Sequence, residues 1–301
     1  MKLSLVVPCY NEEGNVERFF SETNRAFANN VDDYEFVFVD DGSTDSTYSK
    51  LESIYVSNPQ SDIQVLSFSR NFGKEAALFA GINNAKGEVV LQMLDVIRLN
   101  PAVDCVTAYQ EVRNEGKMMT ACKSLFYKTI NKLSDTEFIN GASDFRLMNR
   151  KMVDAIKQIG EYHRFSKGIF GYVGFNTEYI PYTVAERESG ETKWGLKKLM
   201  KYAFDGILSF SAFPLKISTY VGSVASIISV IYIIIVLIEK LFFGIPTPGY
   251  ATIVILILFL GGVQLFCLGM IGEYLSKIYI QVKNRPIYIL KKHLKKDKKD
   301  D

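Results

Sequence analysis

Four polar clusters in this chain each follow a short apolar run. Pro8-Cys9-Tyr10-Asn11-Glu12 follows Leu3–Val7, and Asp40-Asp41-Gly42-Ser43 follows Tyr34–Val39. Ser69-Arg70-Asn71-Phe72-Gly73-Lys74 follows Ile63–Phe68, and Asp95 follows Val89–Met93. Carboxylates, amides, cations and an aromatic ring brought to one place could hold and orient a polar ligand. Any one cluster alone is a weak signal, because DDGSTD also reads as an ordinary turn with a helix N-cap. The dinucleotide fingerprint GxGxxG and the P-loop are both absent, which argues against a Rossmann dehydrogenase and a P-loop NTPase. Cys9, Cys105, Cys122 and Cys267 show no CxxC spacing and read as reduced, buried thiols, with neither a disulfide nor a zinc site.

The elements that must position these clusters alternate in type. Helix-period stretches over 12–29, 44–57 and 74–85 separate the four apolar runs, which have strand length and composition. Fully apolar strands alternating with helices predict an α/β domain with a parallel sheet covered on both faces, spanning residues 1–210. Ligands bind such sheets at the carboxyl ends of the strands, where all four clusters fall.

The rest of the chain is of a different kind. Residues 217–238 and 251–271 carry no charge and are 22 and 21 residues long. About 20 apolar residues suffice to cross the hydrocarbon core as a helix. Their position excludes a signal peptide, and core helices of soluble proteins are shorter and keep a polar stripe. Residues 211–275 therefore read as a two-helix transmembrane hairpin. Lys193, Lys197, Lys198, Lys201 and Lys216 precede it, and Lys277, Lys283, Arg285, Lys291, Lys292, Lys295 and Lys296 follow it. Positive charge on both outer flanks predicts a multi-pass protein of the plasma (inner) membrane, with the front domain and a basic tail over 276–301 in the cytoplasm. That tail suits anionic lipid headgroups; no nucleic-acid motif accompanies it. Gly222, Ser223, Ala225, Ser226, Gly261 and Gly262 permit close helix packing and point to a homo-oligomer.

The motifs VVPCYNEE, VDDGSTDST and SRNFGKEAAL resemble the GT-A glycosyltransferases of the inverting family 2. NGASDFRLMNR, RFSKGIFGYVGF, RESGETKW and the closing GEYLSKIYIQVKNRPIYI resemble a narrower branch, the polyprenyl-phosphate glycosyltransferases, over residues 6–290. The QxxRW motif of processive polysaccharide synthases is absent; the one tryptophan is Trp194. The resemblance implies a GT-A fold, a mostly parallel nucleotide-sugar-binding sheet flanked by helices. It also implies inverting transfer of one sugar, UDP-glucose favoured as donor, to a polyprenyl phosphate such as undecaprenyl phosphate, in cell-envelope glycosylation. By that resemblance Pro8, Tyr10, Asn11, Glu12, Asp40, Asp41 and Lys74 bind the nucleotide sugar. Asp144 orients the acceptor or takes a residual proton, since a phosphate monoester is already ionised near neutrality. Arg146 joins it in the catalytic pair, and Arg187 and Lys193 clamp the acceptor phosphate, arginine by its planar fork and lysine as a point charge.

In the family an Asp-x-Asp motif after the fourth strand holds Mg²⁺ or Mn²⁺, hard cations suited to carboxylate and phosphate oxygens. This chain reads Met93-Leu94-Asp95-Val96-Ile97 there, leaving Asp95 as the single carboxylate. The basic stretch that family members carry after residues 117–123 is also missing or very short, before Ser124–Lys128. An active enzyme is the leading reading. The alternative is an impaired paralogue that binds nucleotide or a partner glycosyltransferase. A transporter built on the hairpin fares poorly, because the spans hold no charged residue for a pathway.

Overall fold

The structure is a computed structural model and describes residues 2–90, 103–110, 131, 142–182, 213–242 and 249–296. The chain divides into two compact units. One comprises residues 1–131, 136–195 and 285–301; the other comprises 132–135 and 196–284.

The first unit is built on strands β1 (Lys2–Cys9), β2 (Asp33–Asp40), β3 (Asp62–Phe68) and β4 (Val89–Val90), with helices α1 (Val16–Asn30), α2 (Thr47–Ser57) and α3 (Lys74–Asn84) between them. Strands β5 (Cys105–Gln110), β6 (Ala142–Asn149) and β7 (Thr177–Tyr182) follow, with α4 (Arg150–Gln158) and α5 (Ser166–Tyr172). β8 (Leu290–Leu294) comes last, and the sheet order is β7-β5-β6-β4-β1-β2-β3-β8. β4, β1, β2 and β3 run parallel, as apolar runs separated by helices require. β6 is antiparallel to both β4 and β5, and β8 is antiparallel to β3. β7 pairs parallel with β5, so the sheet is mixed, and only β6 and β8 run against the other strands. Phe36, Val37, Phe38 and Val39 are fully buried in the middle strand, and Phe20 and Phe27 of α1 pack on Phe36 with centroids 5.1 and 6.1 Å away. Such aromatic contacts add to the burial of apolar area that drives the fold. α3 lies so close to β1 that a Cβ on Gly81 would come within 2.2 Å of Val6 Cγ1.

β8 is a departure from the sequence expectation. Residues 290–294 fall in the segment read as a basic tail, yet they form an edge strand. Ser69 N–H donates to Ile289 O at 3.0 Å, and Lys296 Nζ donates to Asn58 O, Pro59 O and Ser61 O at 2.9, 2.7 and 2.6 Å. The adjacent lysines of LKKHL hid a strand that needs only one face against the domain, and lysines are favoured on sheet edges because they discourage further pairing. A polar ladder fixes this arrangement across four strands. Buried Glu35 on β2 accepts from Ser4 on β1, from Gln64 Nε2 on β3 at 3.1 Å and from Lys86 N at 2.6 Å. Gln64 Nε2 is thus a donor, so its Oε1, 3.3 Å from His293 Nε2 on β8, accepts from the ring N–H.

The second unit is described through α6 (Phe213–Phe242) and α7 (Tyr250–Val282). Both are long and apolar enough to cross a membrane, over residues 213–232 and 259–282. Cys267 Sγ on α7 lies 3.4 Å from Ser218 O on α6, so the two helices touch as a hairpin. Ile227, Ile228, Phe259 and Leu265 are more than half exposed. Apolar side chains on the outside of a long helix pair are what a lipid environment accommodates.

Burial, with Lys295 and Lys86 nearby, holds the His293 imidazole below its ordinary pKa. A depressed folded-state value stabilises the fold above the ordinary imidazole range, and that contribution is lost as pH falls through it. Between about pH 8 and pH 5, melting temperature should therefore fall further for the wild type than for His293→Gln. Parallel pH–melting curves for the two proteins check this.

Candidate active site at the carboxyl edge of the sheet

The carboxyl ends of β1, β2 and β3 are tied into one hydrogen-bonded piece. Asp40 closes β2 and is 2% exposed; its Oδ1 accepts from Ser43 N at 3.0 Å and its Oδ2 from Ser67 Oγ on β3 at 2.8 Å. Asp41 is 4% exposed and accepts from Phe72 N at 2.7 Å and Gly73 N at 3.1 and 3.0 Å. Burial pushes the Asp41 carboxyl above its usual range, while the two amides pull it back. Gly42 turns the chain here with φ +66°, and a Cβ on it would meet Arg70 C at 2.4 Å, so a side chain is excluded by both conformation and space. In the loop after β1, Asn11 N–H donates to Ser43 Oγ at 3.0 Å and Thr44 N–H to Asn11 Oδ1 at 2.9 Å. Asn11 holds φ 53°, a conformation asparagine tolerates better than most residues. Glu12 N–H donates to Thr47 Oγ1 at 2.8 Å.

Pro8, Tyr10, Asn11, Glu12, Asp40, Asp41 and Lys74 all lie at this edge, as the sequence implied. They divide by accessibility. Asp40 and Asp41 are buried and engaged with the loops, Tyr10 is 41% exposed, and Lys74 is exposed at the start of α3. Cys9 is inert: burial, then Asp40 and Glu12, push its thiol up to about 12.

Arg146 stands on β6, separated from β1 by β4. It is 6% exposed, its guanidinium carbon lies 4.2 Å from the centroid of Phe170, and its Nε has no hydrogen-bond partner among the described residues. A buried cation held over a ring, with an N–H uncommitted among the described residues, is a ready donor to an oxyanion. Asp144 lies two positions earlier in the same strand, with only its backbone described. Asp95, Arg187, Lys193 and Ser124–Lys128 lie outside the described residues. Among the described residues no three metal-ligating side chains cluster, and the oxygens of Asp40 and Asp41 already accept hydrogen bonds. The described part of the edge therefore does not by itself fit a divalent cation.

A cavity of about 300 Å³ adjoins the edge, lined by Arg70, Phe72, Gly73, Glu75, Arg164 and Ile287 among others. Arg70 was visible in the third polar cluster. Arg164 and Ile287 were missed, because nothing local marks two residues this far apart as neighbours.

Residues 4–156 match the Glycosyl transferase family 2 profile, and residues 213–278 match the GtrB C-terminal hairpin. Among curated proteins, the bactoprenol glucosyl transferase of Shigella phage SfII is 41% identical over 305 residues, covering 97% of this chain and 98% of the relative. An uncharacterized glycosyltransferase of Synechocystis is 40% identical, covering 96% and 95%. A prophage bactoprenol glucosyl transferase homolog of Escherichia coli is 39% identical, covering 97% and 99%.

The Asp41 carboxylate satisfies two amides that would otherwise be stranded. Asp41→Ala should lower the melting temperature by about 5 °C, and Asp41→Asn, which keeps one acceptor, by less. Thermal melts of the purified proteins in detergent test the ranking.

Proposed function

The chain belongs to glycosyl transferase family 2, and we propose that it transfers one glucose from UDP-glucose to a polyprenyl phosphate at the cytoplasmic face of the membrane. The observation that carries this reading is the full-length likeness to bactoprenol glucosyl transferases, covering front domain and hairpin together. The prearranged carboxyl edge supports it, since a family 2 domain needs such an edge to seat its donor. The membrane hairpin supplies the setting in which a lipid acceptor is available. Lysines on both outer flanks support a cytoplasmic front domain. The small residues of α6 and α7 support a homo-oligomer.

In this reading a phosphate oxygen of the acceptor attacks the anomeric carbon from the side opposite the diphosphate. The new carbon–oxygen bond forms as the bond to UDP breaks, the configuration inverts, and UDP leaves with the bonding electrons. Tyr10 packs on the base or ribose, with Pro8, Asn11 and Glu12 beside it and Lys74 near the phosphates. Asp40 and Asp41 hold the loops around the nucleotide. Asp144 orients the acceptor, while Arg146, Arg187 and Lys193 neutralise phosphate charge as it shifts. Mg²⁺ or Mn²⁺ is the cation proposed for this family's chemistry, where it would offset charge on the leaving diphosphate; here Asp95 is its one candidate protein ligand. The impaired-paralogue reading rests on that same degenerate segment.

Purified protein in detergent, given undecaprenyl phosphate, Mg²⁺ or Mn²⁺ and radiolabelled UDP- or GDP-sugars singly, should pass label into the organic phase from UDP-glucose. Asp144→Asn and Arg187→Ala should each cut that rate by about a hundredfold while inserting normally. No label from any donor, beside an active relative, would establish the paralogue reading instead. Separately, Asp95→Ala should remove the dependence of rate on added metal, and an unchanged metal titration would exclude Asp95 as a ligand.

A further inference from the structure

One side chain from the returning C-terminal segment sits at the middle of an aromatic chain that ends in two guanidinium groups. Arg70 lies with its guanidinium carbon 4.0 Å from the centroid of Phe72. Phe72 stands edge-on to Phe68 at 5.7 Å, and Phe68 stacks on Tyr288 at 5.0 Å with the planes 14° apart. Tyr288 meets Phe79 edge-on at 6.5 Å, and Phe79 carries Arg164, whose guanidinium carbon is 3.9 Å from its centroid. Arg70 and Arg164 line the same cavity, and Ile287 lines it too.

Arg70 also donates through Nη1 to Asn71 O at 3.0 Å, and the carboxylates of Glu75 and Glu161 lie near Arg164. Arg164 is 9% exposed, donates through Nη1 to Ile159 O, and has an Nε without a partner among the described residues. Glu75, which shares the cavity, accepts from the amide of Ser166 at 3.0 Å and from its hydroxyl. The spacing of the guanidiniums depends on this run of ring and cation–ring contacts remaining continuous. Tyr288 is its midpoint, and it is delivered there by the β3–β8 pairing and the Ser69–Ile289 hydrogen bond.

We propose that Tyr288 is a positioning residue for the donor nucleotide: through Phe68–Phe72 and Phe79 it sets the separation of Arg70 and Arg164, whose guanidiniums bind the anionic donor at the β3 end of the site. This rests on the glycosyltransferase reading above. It assigns the segment after the membrane hairpin a part in donor binding, apart from any part in anchoring.

The experiment compares Tyr288→Ala, Tyr288→Leu and Tyr288→Phe with Lys296→Ala, which cuts three hydrogen bonds farther along the same segment and leaves the aromatic chain whole. UDP affinity is read by calorimetry, and KM and kcat are read with UDP-glucose. Tyr288→Ala and Tyr288→Leu should weaken UDP binding and raise KM about tenfold with kcat at saturation retained, while Tyr288→Phe matches the wild type. Lys296→Ala should lower the melting temperature and leave both constants unchanged. Wild-type UDP affinity in a folded Tyr288→Ala or Tyr288→Leu protein would overturn the proposal and leave Tyr288 a purely structural residue. Equal weakening in Lys296→Ala would overturn it as well. A wild-type protein that binds UDP without transferring glucose would defeat the reaction assigned above while the affinity comparison still decides the role of Tyr288. A wild-type protein that binds no UDP would defeat both.

Discussion

Two adjacent carboxylates can leave water at the edge of a sheet only if donors meet them there, and Asp40 and Asp41 impose that condition on everything around them. Asp40 draws in the Ser43 amide and reaches across to Ser67, so the ends of β2 and β3 keep a fixed offset. Asp41 takes the amides of Phe72 and Gly73 and so determines where α3 begins. The loop after β1 is drawn in by Asn11 through Ser43 and Thr44. A ligand arriving at this edge finds it already assembled, and its binding energy is not spent on ordering loops.

The amino-terminal half of the sheet is governed by the same rule with a different carboxylate. Glu35 is fully buried, and its donors come from β1, from β3 and from the turn before β4. Apolar strands alone could slide past one another, since one Val or Phe packs much like the next. A buried carboxylate with three specified donors cannot slide without stranding its charge, which pins the register. Gln64 passes the ladder on to His293, and this accounts for an edge strand that apolar burial alone would hold weakly.

The centre of the fold was legible because its signals are local. LSLVV, YEFVFV and IQVLSF are strands by composition, and the polar clusters after them fell at one edge because parallel strands end together. The edge residues were legible as a group, while their division of labour was not. Nothing in DDGS tells that both aspartates turn inward to amides and a hydroxyl contributed by β3 and its loop. The antiparallel strands β6 and β8 escaped for a related reason: their partners lie far away in sequence, and LKKHL reads as solvated. The triplet Ile287-Tyr288-Ile289 after Pro286 was the available hint, an apolar run of strand type just before the lysines.

The β3–β8 pairing also dictates an order of events during synthesis. Gln64 and His293 are separated by 229 residues, and a ribosome adding about 5–20 residues per second needs roughly 10–50 s to make them. Through that interval β3 presents an open row of amides and carbonyls, the sort of edge on which other chains pair. The strand that covers it emerges only after both apolar helices have been made. The front domain thus stays unfinished until the hairpin has been handed to the membrane, so a chain whose insertion stalls would carry an adhesive edge that quality-control proteases and chaperones can read.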